Sequence, residues 1–155
     1  MDEAIYRRGA QLLSMIDRVG RSYADSFLKE KGVSRGQVPY LMELYHHDGV
    51  SQDFLAQKAA MDKSTAARAI QKLEAAGLVR REQNPQDKRE NLVYLTEAGR
   101  QIHPYVKQLM SQWIQLVTEE VSEEEMRVLV DILERMGERA QAYRRGNLEL
   151  EKQES

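Results

Sequence analysis

NPQDKRENLVYLTEAGR, residues 84–100, sets a charged, proline-containing strip ahead of a short β-like run and a helix start. The strip, Asn84 to Glu90, is too polar to be core. Leu78-Val79-Arg80-Arg81 before it and Leu92-Val93-Tyr94-Leu95 after it read as two strands of a hairpin. Thr96, just past the second strand, is a good N-cap, so a helix opens directly behind the hairpin.

Upstream, Asp62 caps a helix in which Ala66, Ile70 and Leu73 recur at steps of four and three as far as Gly77. Ser51 caps a shorter helix before it, with Phe54, Leu55 and Ala59 as the inner face. Two short helices joined by a tight turn suggest a helix-turn-helix, whose second helix enters the major groove with its N-terminal half. With Ala66, Ile70 and Leu73 facing inward, the opposite face presents Lys63, Ser64, Ala67, Arg68, Gln71 and Lys72. Ser64 and Thr65 can bond phosphate oxygens, Arg68 and Gln71 can read base edges, Ala67 can meet a thymine methyl, and Lys72 can neutralise phosphate. The dipole at the helix N-terminus has the right sign for phosphate. An ordinary surface helix also carries a charged outer face, and the hairpin decides between the two readings. Immediately after a helix-turn-helix it is a wing, with its cation placed to meet the adjacent minor groove. Asp87 near phosphate demands a partner. Arg81 at the base of the hairpin is the expected one, leaving Arg89 to extend from the tip.

Ser64 through Arg68, Leu73-Glu74-Ala75-Ala76-Gly77-Leu78-Val79, Arg81, Asp87-Lys88-Arg89 and Leu95-Thr96-Glu97-Ala98-Gly99-Arg100 together resemble the MarR family, winged-helix transcription regulators of bacteria and archaea. The joint spacing of Gly77, Arg81, Asp87, Arg89 and Leu95-Thr96 is the strongest element of the resemblance, which extends over nearly the whole chain. It implies a mainly α fold with a small β-hairpin wing, Arg89 inserted into the minor groove with Lys88 beside it, Asp87 buttressing the wing, and a helix from Lys63 to Ala76 reading the major groove. Ala67 departs from the polar residue often found at that position.

The flanks supply a partner surface. Ile5, Gly9, Leu12, Ile16, Val19, Tyr23 and Phe27 mark one long amphipathic helix ending near Lys31-Gly32. Ser34-Arg35-Gly36-Gln37 reads as a capping box ahead of Val38, Leu41, Met42 and Tyr45, and Pro39 requires either an irregular first turn or a helix that begins near it. Behind Thr96, Ile102, Val106, Leu109, Trp113 and Leu116 predict one long helix ending near Val121. Ser122-Glu123-Glu124-Glu125 is a second capping box, opening a last helix striped with Met126, Leu129, Val130, Leu133 and Met136. That is more apolar stripe than one thin lobe can cover, so part of it is expected to pack across a twofold axis. A homodimer follows, as the resemblance also implies. Residues 1–33 and 101–146 then form a helical dimerisation lobe, 34–100 a winged helix-turn-helix lobe, and Asn147 to Ser155 a frayed tail. Two copies would meet half-sites of a near-palindromic double-stranded operator about 34–36 Å apart.

Composition narrows the alternatives. The net charge of −2 hides an asymmetry: residues 1–50 carry 7 basic and 7 acidic side chains, 51–100 carry 9 and 7, and 101–155 carry 7 and 11. The most basic third is therefore the one holding the wing. Without cysteine there are no disulfides, thiolate metal sites, thiol redox sensing or cysteine catalysis. There is neither a signal-like apolar core in MDEAIYRRG nor a run of about 20 apolar residues, so a cytoplasmic, non-membrane protein is expected. His46, His47 and His103 lack any metal-ligand spacing, and no phosphate loop, nucleophile elbow or His-carboxylate constellation suggests an enzyme. Neither a metal nor a cofactor is expected. A metal-responsive regulator and a winged-helix protein-interaction module are the alternatives to a DNA-binding regulator. Regulators of this family are usually repressors that a small-molecule effector releases. By resemblance, the effector would lie between the dimer helices and the reading lobe, near Tyr23, Tyr40, Tyr45 and His46, each of which fits equally well as core.

Overall fold

The computed structural model describes residues 2–146, and the tail expected at Asn147 to Ser155 lies outside the described residues. Helix α1, Glu3–Leu28, starts where the Asp2 side chain accepts a hydrogen bond from Ala4 N–H, and passes through a 3-10 turn to Gly32, whose φ of 71° closes it. Its buried face is narrow, just Gly20, Ala24 and Leu28. At Gly20 the helix meets Trp113 so closely that a Cβ would lie 3.0 Å from the indole.

The Ser34 capping box forms as expected, but on a 3-10 turn, Arg35–Gln37. Helix α2, Val38–His46, then begins with Pro39 in its first turn, where a missing N–H costs nothing. Both sequence alternatives for Pro39 are thus realised, one after the other. Val38, Tyr40, Leu41 and Leu44 bury the inner face of α2.

Strand β1, Val50–Ser51, was not expected. It pairs antiparallel with strand β3, Asn91–Leu95, which pairs on its other side with strand β2, Val79–Gln83, giving the order β1-β3-β2. Two residues cannot show a period-two pattern, so only the tertiary pairing of Val50 with Val93 and Ser51 with Leu92 reveals β1. Helix α3, Gln52–Lys58, is capped by Ser51, and its buried residues are Leu55 and Ala56, with Phe54 and Ala59 only partly covered. Helix α4, Lys63–Ala75, follows after Ala60, which sits at φ 53° in the turn. It buries Ala66, Ile70 and Leu73 completely.

Behind the sheet the expected single helix is two. Helix α5, Glu97–Gln101, stops at Ile102, and helix α6, His103–Val117, restarts there and ends short of Val121. Pro104 explains the break, since it has no N–H for the carbonyl of Arg100 and its ring would clash there in a continuous helix. Helix α7, Glu123–Arg144, opens on the Ser122–Glu125 capping box. The described residues divide into two compact units, separated after residue 114. The first holds the core of α2, α3, α4 and the sheet together with α1 and most of α6. In the second, α7 has no buried residue. Among the described residues, no helix is long and apolar enough to cross a membrane.

Candidate nucleic-acid interface

Because α4 commits Ala66, Ile70 and Leu73 to the core, its other flank is left to solvent. Lys63, Ser64, Arg68, Gln71 and Lys72 are exposed there, with Thr65 and Ala67 half-buried. All seven sequence-predicted residues therefore lie along one helix. Lys63 Nζ reaches Asp53 Oδ2 on α3 at 2.6 Å, bridging the two helices of the motif.

The cap of α4 engages more groups than a cap needs. Asp62 Oδ1 accepts from Thr65 N–H at 2.8 Å and from the Ser64 hydroxyl at 2.6 Å, while Oδ2 accepts from the Thr65 hydroxyl at 2.7 Å. The Ser64 hydroxyl, ahead of the Thr65 hydroxyl and backbone N–H, holds the Asp62 carboxyl well below the usual carboxylate range. Arg68 Nη2 lies 3.4 Å from Thr65 Oγ1, at the long limit for a hydrogen bond.

The wing corrects one expectation. Arg81 does not pair with Asp87. Its Nε and Nη2 donate to Glu74 Oε2 at 2.9 and 2.5 Å, and Nη1 is 3.4 Å from Gln52 Oε1. The reason lies in the register. Arg81 sits opposite Val93 in the middle of β2, beside the C-terminal turn of α4, whereas Asp87 lies beyond the end of the ladder at Gln83 and Asn91. Asp87 instead shapes the tip, where Oδ1 accepts from Arg89 N–H at 3.0 Å and its carbonyl accepts from Glu90 N–H at 3.0 Å. Asn84 N–H to Glu90 O, Asn84 Nδ2 to Glu90 Oε2 and Gln83 Nε2 to Lys88 O close the loop at 2.9, 2.8 and 2.8 Å. Lys88 and Arg89 are exposed at the end of this braced loop, and neither forms an ion pair among the described residues. Glu74, which sequence reasoning missed, precedes Arg81 by seven residues across a turn, a spacing that no helix or strand period marks.

Of the four residues expected at an effector pocket, Tyr40, Tyr45 and His46 lie on α2 and Tyr23 on α1. Tyr23 packs its ring against Phe27 and Trp113, with centroids at 5.1 and 5.4 Å. Tyr40 is buried in the core, and burial, then the charge of Asp62, raises its hydroxyl above the ordinary range. Tyr45 stacks on His103 at 3.8 Å and donates its hydroxyl to the Gly99 carbonyl at 2.9 Å; burial pushes that hydroxyl up to about 12. His46 is exposed at the end of α2. Two open grooves flank α4 instead. One, of about 710 Å³, is lined by Ser34, Gln37, Thr65, Arg68, Gln71 and Lys72 among others, and one of about 580 Å³ includes Asp25, Lys29, Val33 and Lys72. None of the four residues lines either. Among the described residues, no group of three or more His, Asp or Glu side chains is placed to hold a metal ion.

Comparison with known proteins places this geometry. A model of the MarR family matches residues 33–91. The uncharacterized HTH-type transcriptional regulator YdgJ of Bacillus subtilis (strain 168) is 33% identical over 127 residues, which span 82% of this chain and 77% of that protein. The crystal structure of a MarR transcriptional regulator from Methanosarcina mazei Go1 superposes with a TM-score of 0.80 at 33% identity, over 88% of this chain and 99% of that one. The structure of the transcriptional regulator SlyA is similar at a TM-score of 0.81 and 30% identity, over 84% and 92% of the two chains.

Proposed function

The chain belongs to the MarR family of winged helix-turn-helix, DNA-binding transcriptional regulators, and from that premise we propose that it is a homodimeric repressor of a near-palindromic operator. Such a protein works by occupying DNA and catalyses no reaction. The observation that carries this reading is the division of α4: one flank fully buried, the other exposing Lys63, Arg68, Gln71 and Lys72, with Lys88 and Arg89 held out on a braced wing. Arg68 and Gln71 are the base-reading groups, Lys72 neutralises phosphate, and Arg89 enters the minor groove.

The dimer rests on uncovered apolar surface. On α7, Met126, Leu129, Leu133, Met136, Ala140 and Tyr143 recur at steps of three and four, a heptad-like seam with no buried member. Helix α1 likewise exposes Ile5, Ile16 and Val19. In this reading residues 1–33 and 101–146 serve dimerisation and 34–100 serve DNA reading. A small-molecule effector releases the operator in this reading by binding better to a dimer whose two reading lobes are wrongly spaced for the half-sites.

The test is a fluorescence-anisotropy titration against the DNA upstream of the gene and a scrambled duplex, at two salt concentrations, with wild type and Arg89→Ala. Light scattering of the same samples gives the mass in solution. Tight, salt-dependent, sequence-preferring binding by a dimer, lost in the variant, is the expected result. A folded monomer, or equal binding to both duplexes, would reject the reading.

A further inference from the structure

We propose that Asp62 is a specificity-determining residue: by taking the hydroxyl protons of Ser64 and Thr65, it turns the leading edge of α4 from a phosphate-binding end into a base-reading one. The proposal rests on the regulator reading above and deepens it.

A helix N-terminus with hydroxyls in its first turn ordinarily suits a phosphate, because the dipole and free O–H and N–H donors all favour an anion. Here an internal anion already holds that position. Both oxygens of Asp62 are engaged, Oδ1 by Ser64 Oγ at 2.6 Å and Thr65 N at 2.8 Å, and Oδ2 by Thr65 Oγ1 at 2.7 Å. A carboxylate can only accept, so each hydroxyl must spend its one proton on Asp62. What the exposed Ser64 hydroxyl then presents outward are lone pairs, while one lone pair of half-buried Thr65 faces Arg68 Nη2 at 3.4 Å. Lone pairs repel phosphate oxygens and accept from amino groups, which in the major groove means adenine N6 or cytosine N4. The cations that could otherwise offset the carboxylate are directed elsewhere or lie further along the helix. Lys63 is paired with Asp53, and Arg68, from further along the helix, reaches back only to Thr65 Oγ1 at 3.4 Å and forms no ion pair with Asp62 among the described residues. Docking on arbitrary sequence is therefore penalised at the leading edge, while Arg68, Lys72 and the wing still attract the backbone.

Capping alone makes a different prediction, which allows a clean test. Asn and Ser cap helices about as well as Asp, so Asp62→Asn and Asp62→Ser preserve the fold while removing the charge; Asn frees the Thr65 hydroxyl proton, because an NH2 donor replaces Oδ2, and Ser, with one short hydroxyl committed to the cap, frees both. Wild type is first used to select duplexes from a randomised pool. Wild type and both variants are then titrated against the selected duplex and a scrambled one across a salt series. The expected result is a fall of about three- to tenfold in the ratio of selected to scrambled affinity in both variants, mainly through tighter binding to the scrambled duplex. Its salt dependence should steepen by up to about one phosphate contact. An unchanged ratio in variants that melt like wild type would overturn the proposal and leave Asp62 as a cap. Failure of wild type to enrich any sequence would instead overturn the regulator reading itself, and this inference with it.

Discussion

Arg81 and Glu74 clamp the wing to α4: Nε and Nη2 of the arginine converge on one carboxylate oxygen at 2.9 and 2.5 Å. The pair is about one-third exposed, so screening limits its contribution to stability to about 1 kcal/mol. Its larger effect is positional, because β2 carries the wing. Arg81→Ala should cost about tenfold or more in operator affinity while shifting Tm by only a few degrees. A fall in Tm large enough to unfold the protein at assay temperature would contradict a positional role.

The same pair gives a pH dependence with a definite sign. Hydrogen bonding to Arg81 holds the Glu74 carboxyl below its ordinary 4.5. A depressed carboxylate contributes stability that is full above the unfolded-state pKa and vanishes as pH falls through the folded-state pKa. The Tm difference between wild type and Glu74→Gln should thus be constant around neutrality and shrink below about pH 4.5. Thermal melts of both proteins across that range check it, and a difference that grows on acidification would refute the assignment.

Asp87 acts within the wing tip, not at its base. Asp87→Ala removes the acceptor for Arg89 N–H, so Arg89 loses its fixed presentation without any change in the core. Stability should fall by less than about 1 kcal/mol, while binding weakens toward the level of Arg89→Ala. Amide exchange confined to residues 84–90 would show the loosening directly, and exchange spreading into α4 would show that the role is wider.

Phosphate neutralisation and base reading separate on α4. Lys72→Ala should weaken binding about equally on all duplexes and lower the salt slope by roughly one unit. Arg68→Ala should lose about 1–3 kcal/mol on the preferred operator and relax discrimination at one base position. Equal losses on scrambled DNA would move Arg68 to the phosphate class.

Gly99 lies against the carbonyl of Leu78, where a Cβ would sit 2.1 Å from the oxygen. Backbone cannot yield as a side-chain tip can, and both carbonyls are held: that of Leu78 accepts from Thr96 N–H and that of Gly99 from the Tyr45 hydroxyl. Gly99→Ala should destabilise by about 3 kcal/mol, at the upper end of the overpacking range. Chemical unfolding with an unchanged m-value is the measurement, and a loss below about 1 kcal/mol would mean that α5 shifts freely on the sheet.

What the sequence determined by itself was everything set within a turn or two of chain. The caps at Asp62, Thr96 and Ser122 and the buried stripe Ala66, Ile70 and Leu73 all form where they were read, because each depends on partners three or four residues away. The break at Pro104 was equally legible and was masked by the apolar stripe running through it. Only the tertiary structure decided that Val50 and Ser51 form a strand, that Arg81 chooses Glu74 over Asp87, and that Tyr40 and Tyr45 serve packing. Those outcomes join residues up to 54 positions apart, or select between two carboxylates of equal chemistry, and there distance in space, which no period encodes, determines the partner.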